Sequence, residues 1–113
     1  MSLETLADLS RRFGSDPRFV LAGGGNTSFK EADFIYVKPS GVTLAKIQPA
    51  DFVKLDRAKV RDIFTLTPPK SAAEREDLVK RIMADAVAPG SSGRPSVEAP
   101  LHEAIPFKYV VHL

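Results

Sequence analysis

The fold is decided by residues 19–41, FVLAGGGNTSFKEADFIYVKPSG, in which short β-type segments alternate with turn-forming residues. Aromatic and β-branched side chains favour strands at residues 27–30 and 34–38, with a turn at 31–33 between them. A further short strand is predicted at residues 19–22, leading into three consecutive glycines. Proline and glycine end the segment at residues 39–41. The segment therefore predicts a small sheet with glycine- and proline-containing loops at its ends.

Helical patterns lie on both sides of this segment. Leucines and a phenylalanine recur at helical spacing over residues 3–13, and Gly14 is expected to end that helix in the left-handed conformation. The order of elements predicts an α/β fold, a mixed sheet with helices on its faces. The remaining predicted elements are a strand at 52–55, helices at 57–64, 71–87 and 97–105, and a strand at 109–113.

The composition is that of an ordinary soluble domain, with 43% hydrophobic and 27% charged residues among 113. Sixteen basic and fourteen acidic residues give a net charge of +2, and the basic residues are scattered, so no nucleic-acid partner is expected. Without cysteine, disulfides and thiolate zinc sites are impossible. No apolar run approaches the roughly 20 residues of a membrane span. A cytoplasmic protein without a membrane partner is the expectation.

The first candidate site is the loop Gly23-Gly24-Gly25-Asn26-Thr27-Ser28. Glycines let a ligand approach the backbone closely, and consecutive N–H groups form a concavity that binds anions. The dinucleotide-binding fingerprint is not matched, since no glycine stands three residues beyond Gly25 and no helix pattern follows. A plain glycine turn between two strands is the alternative interpretation.

Three more candidate sites follow along the chain. Lys38-Pro39-Ser40-Gly41 places a hydroxyl at a strand end, although a simple tight turn explains it equally well. In Arg94-Pro95-Ser96-Val97-Glu98, the glutamate precedes His102 by four residues, which puts both on one helix face. Glu98 also complements a helix dipole, and His102 is more typical of a packing or hydrogen-bonding residue. His112, in the last strand, is a metal ligand or a hydrogen-bonding residue.

Taken together and in this order, the four sites resemble the class II aldolase and adducin head domain family. That family has a glycine-asparagine phosphate loop, a proline-serine/threonine-glycine turn, a serine-x-glutamate helix start and a strand reading His-x-His. The matching pieces are Gly25-Asn26-Thr27-Ser28, Lys38-Pro39-Ser40-Gly41, Ser96-Val97-Glu98 and Val110-Val111-His112. The chain looks most similar to sugar-phosphate aldolase domains of the rhamnulose-1-phosphate aldolase type.

The resemblance implies a three-layer α/β/α fold with a mixed, largely antiparallel sheet, incomplete in this chain. It also implies zinc-dependent cleavage of a ketose 1-phosphate to dihydroxyacetone phosphate and an aldehyde, in a homo-oligomer, by analogy a tetramer. Glu98 is the implied proton-transferring catalytic residue and His112 a zinc ligand. The implied phosphate-binding residues are Gly25, Asn26, Ser40, Gly41 and Ser96.

Two departures from the family pattern bear on this interpretation. Val97 stands where the small aldolases often have a second serine, so one hydroxyl of the phosphate site is missing. Only His112 of the metal triad is present, and one imidazole cannot supply the three protein ligands of a catalytic zinc. Residues 1–113 are therefore expected to be the N-terminal part of a single domain, truncated at the metal-binding strand and inactive alone.

Two further functions remain open at this level. A dehydratase or an epimerase would use the same zinc site on a phosphorylated sugar. An adducin-like interaction domain would keep the fold without the metal, although such a domain has no need for both Glu98 and His112.

Overall fold

A computed structural model describes residues 2–113, and its elements are distributed along the whole of that range. Three short 3₁₀ turns, Leu44–Lys46, Pro49–Asp51 and Asp62–Phe64, connect the longer elements. The helices are α1 (Leu3–Gly14), α2 (Arg57–Arg61), α3 (Ala72–Ala86) and α4 (Ala99–Ala104), and the strands are β1 (Asn26–Lys30), β2 (Phe34–Val37), β3 (Val53–Asp56) and β4 (Tyr109–His112).

The four strands form one sheet in the order β3-β2-β1-β4. All three pairings between these strands are antiparallel, in agreement with the predicted largely antiparallel sheet. The β1–β4 pairing joins the two most distant strands of the sequence, and it sets Asn26 opposite His112. The two loops at this end of the sheet are thereby brought beside the last strand.

Helices cover both faces of the sheet, so the predicted α/β/α layering is confirmed. On one face α1 packs over a core of aliphatic and aromatic side chains, and on the other α2, α3 and α4 cover a mainly aliphatic core. Burying one such large apolar side chain contributes about 1.5–3 kcal/mol. The first core contains Leu6, Ala7, Phe29, Ile47 and Phe52, and the second contains Ile35, Val37, Val53, Leu55, Val60, Met83, Ala86 and Ala99.

A buried ion pair fixes α4 against α2. The side chain of Glu103 is only 2% exposed, and its carboxylate accepts from Arg57 at 2.9 Å and from Arg61 at 3.2 Å. A carboxylate at that depth is tolerated only when its oxygens are paired in this way. The contact therefore sets the position of the helix that carries the candidate site.

The strand predicted at residues 19–22 is absent from this part of the structure. Instead, the Val20 N–H donates to Asp16 and the Gly24 N–H donates to Leu21, so the chain turns repeatedly before β1 begins. Ala22 has φ of 51°, which no β-strand accommodates. The short apolar run at residues 19–22 predicts a strand, but its backbone forms hydrogen bonds within local turns and pairs with none of β1–β4.

The predicted role of Gly14 is also wrong. Gly14 lies inside α1, and Ser15 after it keeps a right-handed conformation with its N–H bonded to Arg11. Glycine is needed here for space, because a Cβ on Gly14 would stand 2.4 Å from Cβ of Leu44 and 2.7 Å from the backbone of Ala45. The last turn of α1 therefore packs directly on the Leu44–Lys46 turn.

None of the helices in the described range has the length and apolar character that crossing a membrane requires.

Gly14→Ala tests this close packing. Alanine normally stabilises a helix relative to glycine, but here overpacking against the Leu44–Lys46 turn should dominate and lower the free energy of unfolding by about 1–3 kcal/mol. Urea unfolding followed by circular dichroism measures the change. Gly23→Ala is the matched control, since a Cβ there meets nothing within 4 Å. A Gly14→Ala protein as stable as the control would contradict the packing.

Candidate functional site

The candidate residues meet at the end of the sheet where β1 begins and β4 ends. Residues 94–98 run into this corner before α4 starts, and they are attached to the end of β2. The attachment is a bridge between Pro39 and Pro95, with the Ser40 N–H donating to the Arg94 carbonyl at 2.9 Å. Because proline offers no N–H, the amide of Ser40 makes the bond that holds the two segments together.

Asn26, the first residue of β1, is buried and binds this segment directly. Its side-chain amide donates to Oγ of Ser96, and the same Oγ accepts from the Glu98 N–H at 3.2 Å. The bond between Ser96 and Glu98 closes a local turn before α4, whose N-cap is Glu98 and not Ser96. Oδ1 of Asn26 is fully buried without a partner among residues 2–113, which leaves an unsatisfied polar atom in the site.

Glu98 and His112 form the most direct contact between the loop and β4. Nδ1 of His112 lies 2.8 Å from Oε2 of Glu98, and the two side chains are 45% and 42% exposed. His112 is therefore an exposed residue of β4 at the end of the sheet. Both groups remain accessible to a ligand from solvent.

His102 lies beneath this pair and is completely buried. Its Nδ1 is 2.7 Å from Oγ of Ser28 in β1, which fixes the orientation of the ring. Burial, assisted by the nearby His112 ring, lowers the pKa of His102 to about 4. The imidazole is consequently neutral near pH 7, and its Nε2 has no hydrogen-bond partner in the described part of the chain.

Glu98, His102 and His112 together offer one carboxylate oxygen and two ring nitrogens within 4.8 Å of one another. Carboxylate oxygens and neutral imidazole nitrogens are common ligands of zinc and related divalent metals. Tetrahedral ligands at zinc distances stand roughly 3.4 Å apart, so a small inward movement of the exposed side chains would complete a three-donor site. The unpartnered Nε2 of His102 is the observation that favours a metal here.

A buried lysine adds positive charge to the same corner. Lys38 directly follows β2 and is 7% exposed. Burial lowers the pKa of its ammonium, and the Glu98 carboxylate acts in the opposite direction. The Glu98 carboxylate therefore stabilises the charged form of Lys38. Within residues 2–113 the two side chains form no ion pair like the one between Glu98 and His112.

The two glycines proposed for the site differ in their surroundings. Gly25 has φ of +80°, and a Cβ on it would come within 2.7 Å of the Leu44 side chain. Glycine at that position is required for both conformation and space. Gly41 has φ of +90° and open space around it, so only its backbone conformation requires glycine.

Ser40 lies beside the site, to which its main chain is attached through the bond to the Arg94 carbonyl. Its side chain lines a separate cavity of about 400 Å³ together with Lys80, Arg94 and Val97. Among residues 2–113, no hydrogen bond links Ser40 or Gly41 to Asn26 or Glu98. The structure therefore brings together Gly25, Asn26, Ser96, Glu98 and His112, with Ser40 and Gly41 at its margin.

The sequence interpretation missed two residues of this corner. The pattern predicts a packing or hydrogen-bonding role for His102, which its bond to Ser28 confirms, and its spacing of four from Glu98 places both residues on one helix face. Lys38 stands in a turn motif, and nothing in the sequence distinguishes a buried lysine from a solvated one. The tertiary contacts alone reveal both.

Comparison with known proteins gives a consistent result for the whole chain. The family described as Class II Aldolase and Adducin N-terminal domain matches residues 4–113. A relative from Bacillus subtilis (strain 168), called an uncharacterized oxidoreductase YuxG, is 36% identical over 121 residues. That match covers 97% of this chain but only 16% of the relative.

A solved structure shows the same fold. It is the N-terminal class II aldolase domain of a conserved protein from Thermoplasma acidophilum, with a TM-score of 0.81 and 27% sequence identity. The match covers 99% of this chain and 54% of that chain, so the present sequence spans about half of the solved protein.

The buried His102 should make folding sensitive to acid. Its folded pKa of about 4 lies below the unfolded value near 6.5, so the unfolded chain takes up the proton first. Stability should be full above about pH 7 and fall between pH 6.5 and 4, by up to about 1.4 kcal/mol per pH unit. Urea unfolding in the presence of a chelator measures it. His102→Gln should flatten this profile and His112→Gln should keep most of it; equal slopes in His102→Gln and wild type would contradict the assignment.

Proposed function

Because the chain belongs to the family of class II aldolase and adducin N-terminal domains, we propose that it forms part of a metal-dependent lyase site. The reaction we propose is aldol cleavage of a ketose 1-phosphate to dihydroxyacetone phosphate and an aldehyde. The observation that carries the proposal is the group of Glu98, His102 and His112, placed beside the buried amide of Asn26. A metal-binding group and an anion-binding loop in one corner suit a phosphorylated carbonyl substrate.

The metal we propose is zinc, held by His112 with Glu98 and His102 as the neighbouring donors. A bound divalent cation supplies Lewis-acid polarisation of a carbonyl oxygen and stabilises negative charge that develops there. The 113-residue chain provides two of the imidazoles such a site can use. We propose that any further ligands come from the polypeptide that carries this domain.

Glu98 is the residue we propose to move the proton. Its carboxylate is within reach of solvent and is held toward β4 by His112 at 2.8 Å. A positioned carboxylate next to the reacting carbon takes up and returns a proton as the carbon–carbon bond breaks or forms. The bond from the Glu98 N–H to Ser96 fixes the main chain from which this side chain projects.

The phosphate is proposed to lie over the loop before β1. Gly25 turns the chain with φ of +80° while Leu44 packs against it, and Asn26 and Ser96 present an amide and a hydroxyl at the same place. The unpaired Oδ1 of Asn26 is an acceptor and cannot itself bind a phosphate oxygen. With the amide turned over, Oδ1 would accept from Ser96 Oγ and Nδ2 would be free to donate to the phosphate. Ser40 and Gly41 are proposed to contact the phosphate from the margin of the site.

Other functions on this fold are distinguished by their products. A dehydratase or an epimerase would use the same donors but would release water or an isomer, not two carbon fragments. An adducin-like interaction domain would bind no metal at all.

We also propose a cytoplasmic homo-oligomer, a tetramer by family analogy, which a light-scattering mass measurement tests.

Zinc titration is the direct test of the metal group. Zn²⁺ should bind the chain and raise its melting temperature, because a ligand that binds only the folded state stabilises it. His112→Ala and His102→Gln should each weaken the affinity by roughly tenfold or more, by removing a ligand or the ring beneath it. Calorimetric titration measures the affinity. Glu76→Gln, an exposed change in α3, is the control; wild-type affinity in His112→Ala would contradict the site.

Glu98→Gln tests the proton-transfer role in the protein that carries this domain. The substitution keeps the shape of the side chain and both imidazoles, so cleavage of a ketose 1-phosphate should fall by about 10²–10⁴-fold in protein saturated with zinc. A coupled assay for dihydroxyacetone phosphate measures the rate, with Glu76→Gln as the control for lost charge. Undiminished cleavage would remove Glu98 from the mechanism, and an isomer or a dehydrated product would favour the alternative reactions.

A further inference from the structure

A second cavity lies at the end of β1 opposite the candidate site, and we call it the distal cavity. It has a volume of about 720 Å³, and the β1–β2 turn, α2 and the segment between α4 and β4 form its walls. Asn26 and Lys30 are four residues apart in an extended strand, so the two ends of β1 are separated by about 13 Å. The walls are fixed by bonds from Arg57 Nη1 to the Glu31 carbonyl at 2.6 Å and from the Lys30 N–H to the Lys108 carbonyl at 2.7 Å.

Positive charge dominates the lining of the distal cavity. Within residues 2–113, its lining includes three cations, Lys30, Arg57 and Lys108, and one carboxylate, that of Glu31. Arg57 is paired with the buried Glu103, at 2.9 Å. None of the ion pairs formed within the same range includes either lysine. The charges of the two lysines therefore remain to be balanced at this end of the sheet.

Lys30 is the deepest of these cations. It is 5% exposed, and in the described part of the chain its Nζ makes one hydrogen bond, to the Phe107 carbonyl at 2.7 Å. An ammonium has three N–H groups, so two donors are left over beside the cavity. Burial lowers the pKa of Lys30, with Glu103 acting in the opposite direction and Arg57 in the same direction as burial. An anion in the cavity would occupy these donors and stabilise the charged form.

An apolar surface stands next to the two lysines. The Phe107 side chain lines the cavity and is 68% exposed, although its carbonyl is held by Lys30. Pro106 lies beside it and restricts the backbone of the same segment. Nζ of Lys108 is 5.9 Å from the centre of the Phe29 ring. The cavity thus offers cationic donors and an aromatic face held on a fixed main chain.

We propose that the distal cavity is a second binding site, which takes a small organic anion. Lys30 and Lys108 bind the phosphate or carboxylate group of this ligand, and Phe107 and Pro106 contact its apolar body. Bonds from an ammonium to such oxygens are charge-assisted and stronger than those from neutral donors. The residues that line the cavity take no part in the candidate site, so the inference is independent of the proposed reaction.

Phenyl phosphate is a probe that carries both an oxyanion and an aromatic ring. Its binding to the chain is measured by calorimetry at fixed ionic strength. Lys30→Gln removes the charge but keeps an N–H group for the Phe107 carbonyl, and it should weaken the affinity by roughly tenfold or more. Lys108→Met should weaken it by a smaller factor, because Lys108 is exposed. Lys46→Met removes the same charge from an exposed lysine elsewhere and should bind the probe as wild type does.

The aromatic contact is tested separately from the charge. Phe107→Ala should weaken binding of phenyl phosphate and leave binding of inorganic phosphate unchanged, since only the ring is lost. Phe64→Ala, which removes another exposed ring, is the matched control. Lys108 and Phe107 are both exposed, so their variants test the site independently of whether Lys30→Gln folds as measured by urea unfolding.

Nuclear magnetic resonance of the isotopically labelled chain locates the bound probe. Amide shifts caused by phenyl phosphate should concentrate at residues 29–31 and 106–108 and should spare Asn26 and Glu98. Three results would overturn the inference. They are no binding of the probe, shifts confined to the candidate site, and equal losses of affinity in Lys30→Gln and Lys46→Met, which would indicate general surface attraction.

Discussion

The pairing of β1 with β4 is the constraint on which the rest of the site depends. It places Asn26 beside His112, and it carries α4 along with it, because α4 immediately precedes β4. These strands are far apart in the sequence, β1 at Asn26–Lys30 and β4 at Tyr109–His112, so their pairing closes a long loop. The conformational entropy lost in closing so long a loop is offset by burial of the two cores and by the buried hydrogen bonds between β1 and the helices.

That network gives β1 an unusual character for a central strand. All five of its residues are buried, yet most of them are polar or charged. Oγ1 of Thr27 lies 2.7 Å from Oγ of Ser10 in α1, and Oγ of Ser28 lies 2.7 Å from His102 in α4. Thr27 reaches α1 and Ser28 reaches α4, whereas Asn26 and Lys30 bind the segments just before and after α4, so β1 orients both helical layers. Unsatisfied partners in such a network are costly, which makes the arrangement specific.

Local patterns in the sequence were sufficient for most of the fold. The alternation around residues 27–38 and the helical spacing in α1 and α3 describe interactions between near neighbours, and the structure confirms them. The strand at 19–22 failed because the chain there bonds to itself, and Gly14 was misinterpreted because its constraint comes from Leu44.

The candidate site shows the same difference between what local patterns predict and what only tertiary contacts reveal. The family motifs located Asn26, Ser96, Glu98 and His112, and these residues do converge. His102 and Lys38 required the tertiary structure, since burial and the absence of a partner are properties of the folded molecule. The attachment of the segment before α4 to the end of β2 likewise depends on the bridge between Pro39 and Pro95, which no local pattern contains.

The two edge strands of the sheet, β3 and β4, differ in how their outer edges are covered. Along β3, Ala88 donates to the Lys54 carbonyl at 2.9 Å and Ser91 accepts from the Lys54 N–H, so the residues after α3 cover that margin. Within residues 2–113 no segment covers β4 in the same way, and Val111 and Leu113 are exposed there. Open backbone groups next to apolar side chains are a template for adding another strand. The isolated chain can therefore self-associate when a second copy adds a strand along β4. Keeping it monomeric at high concentration requires another segment to cover that edge.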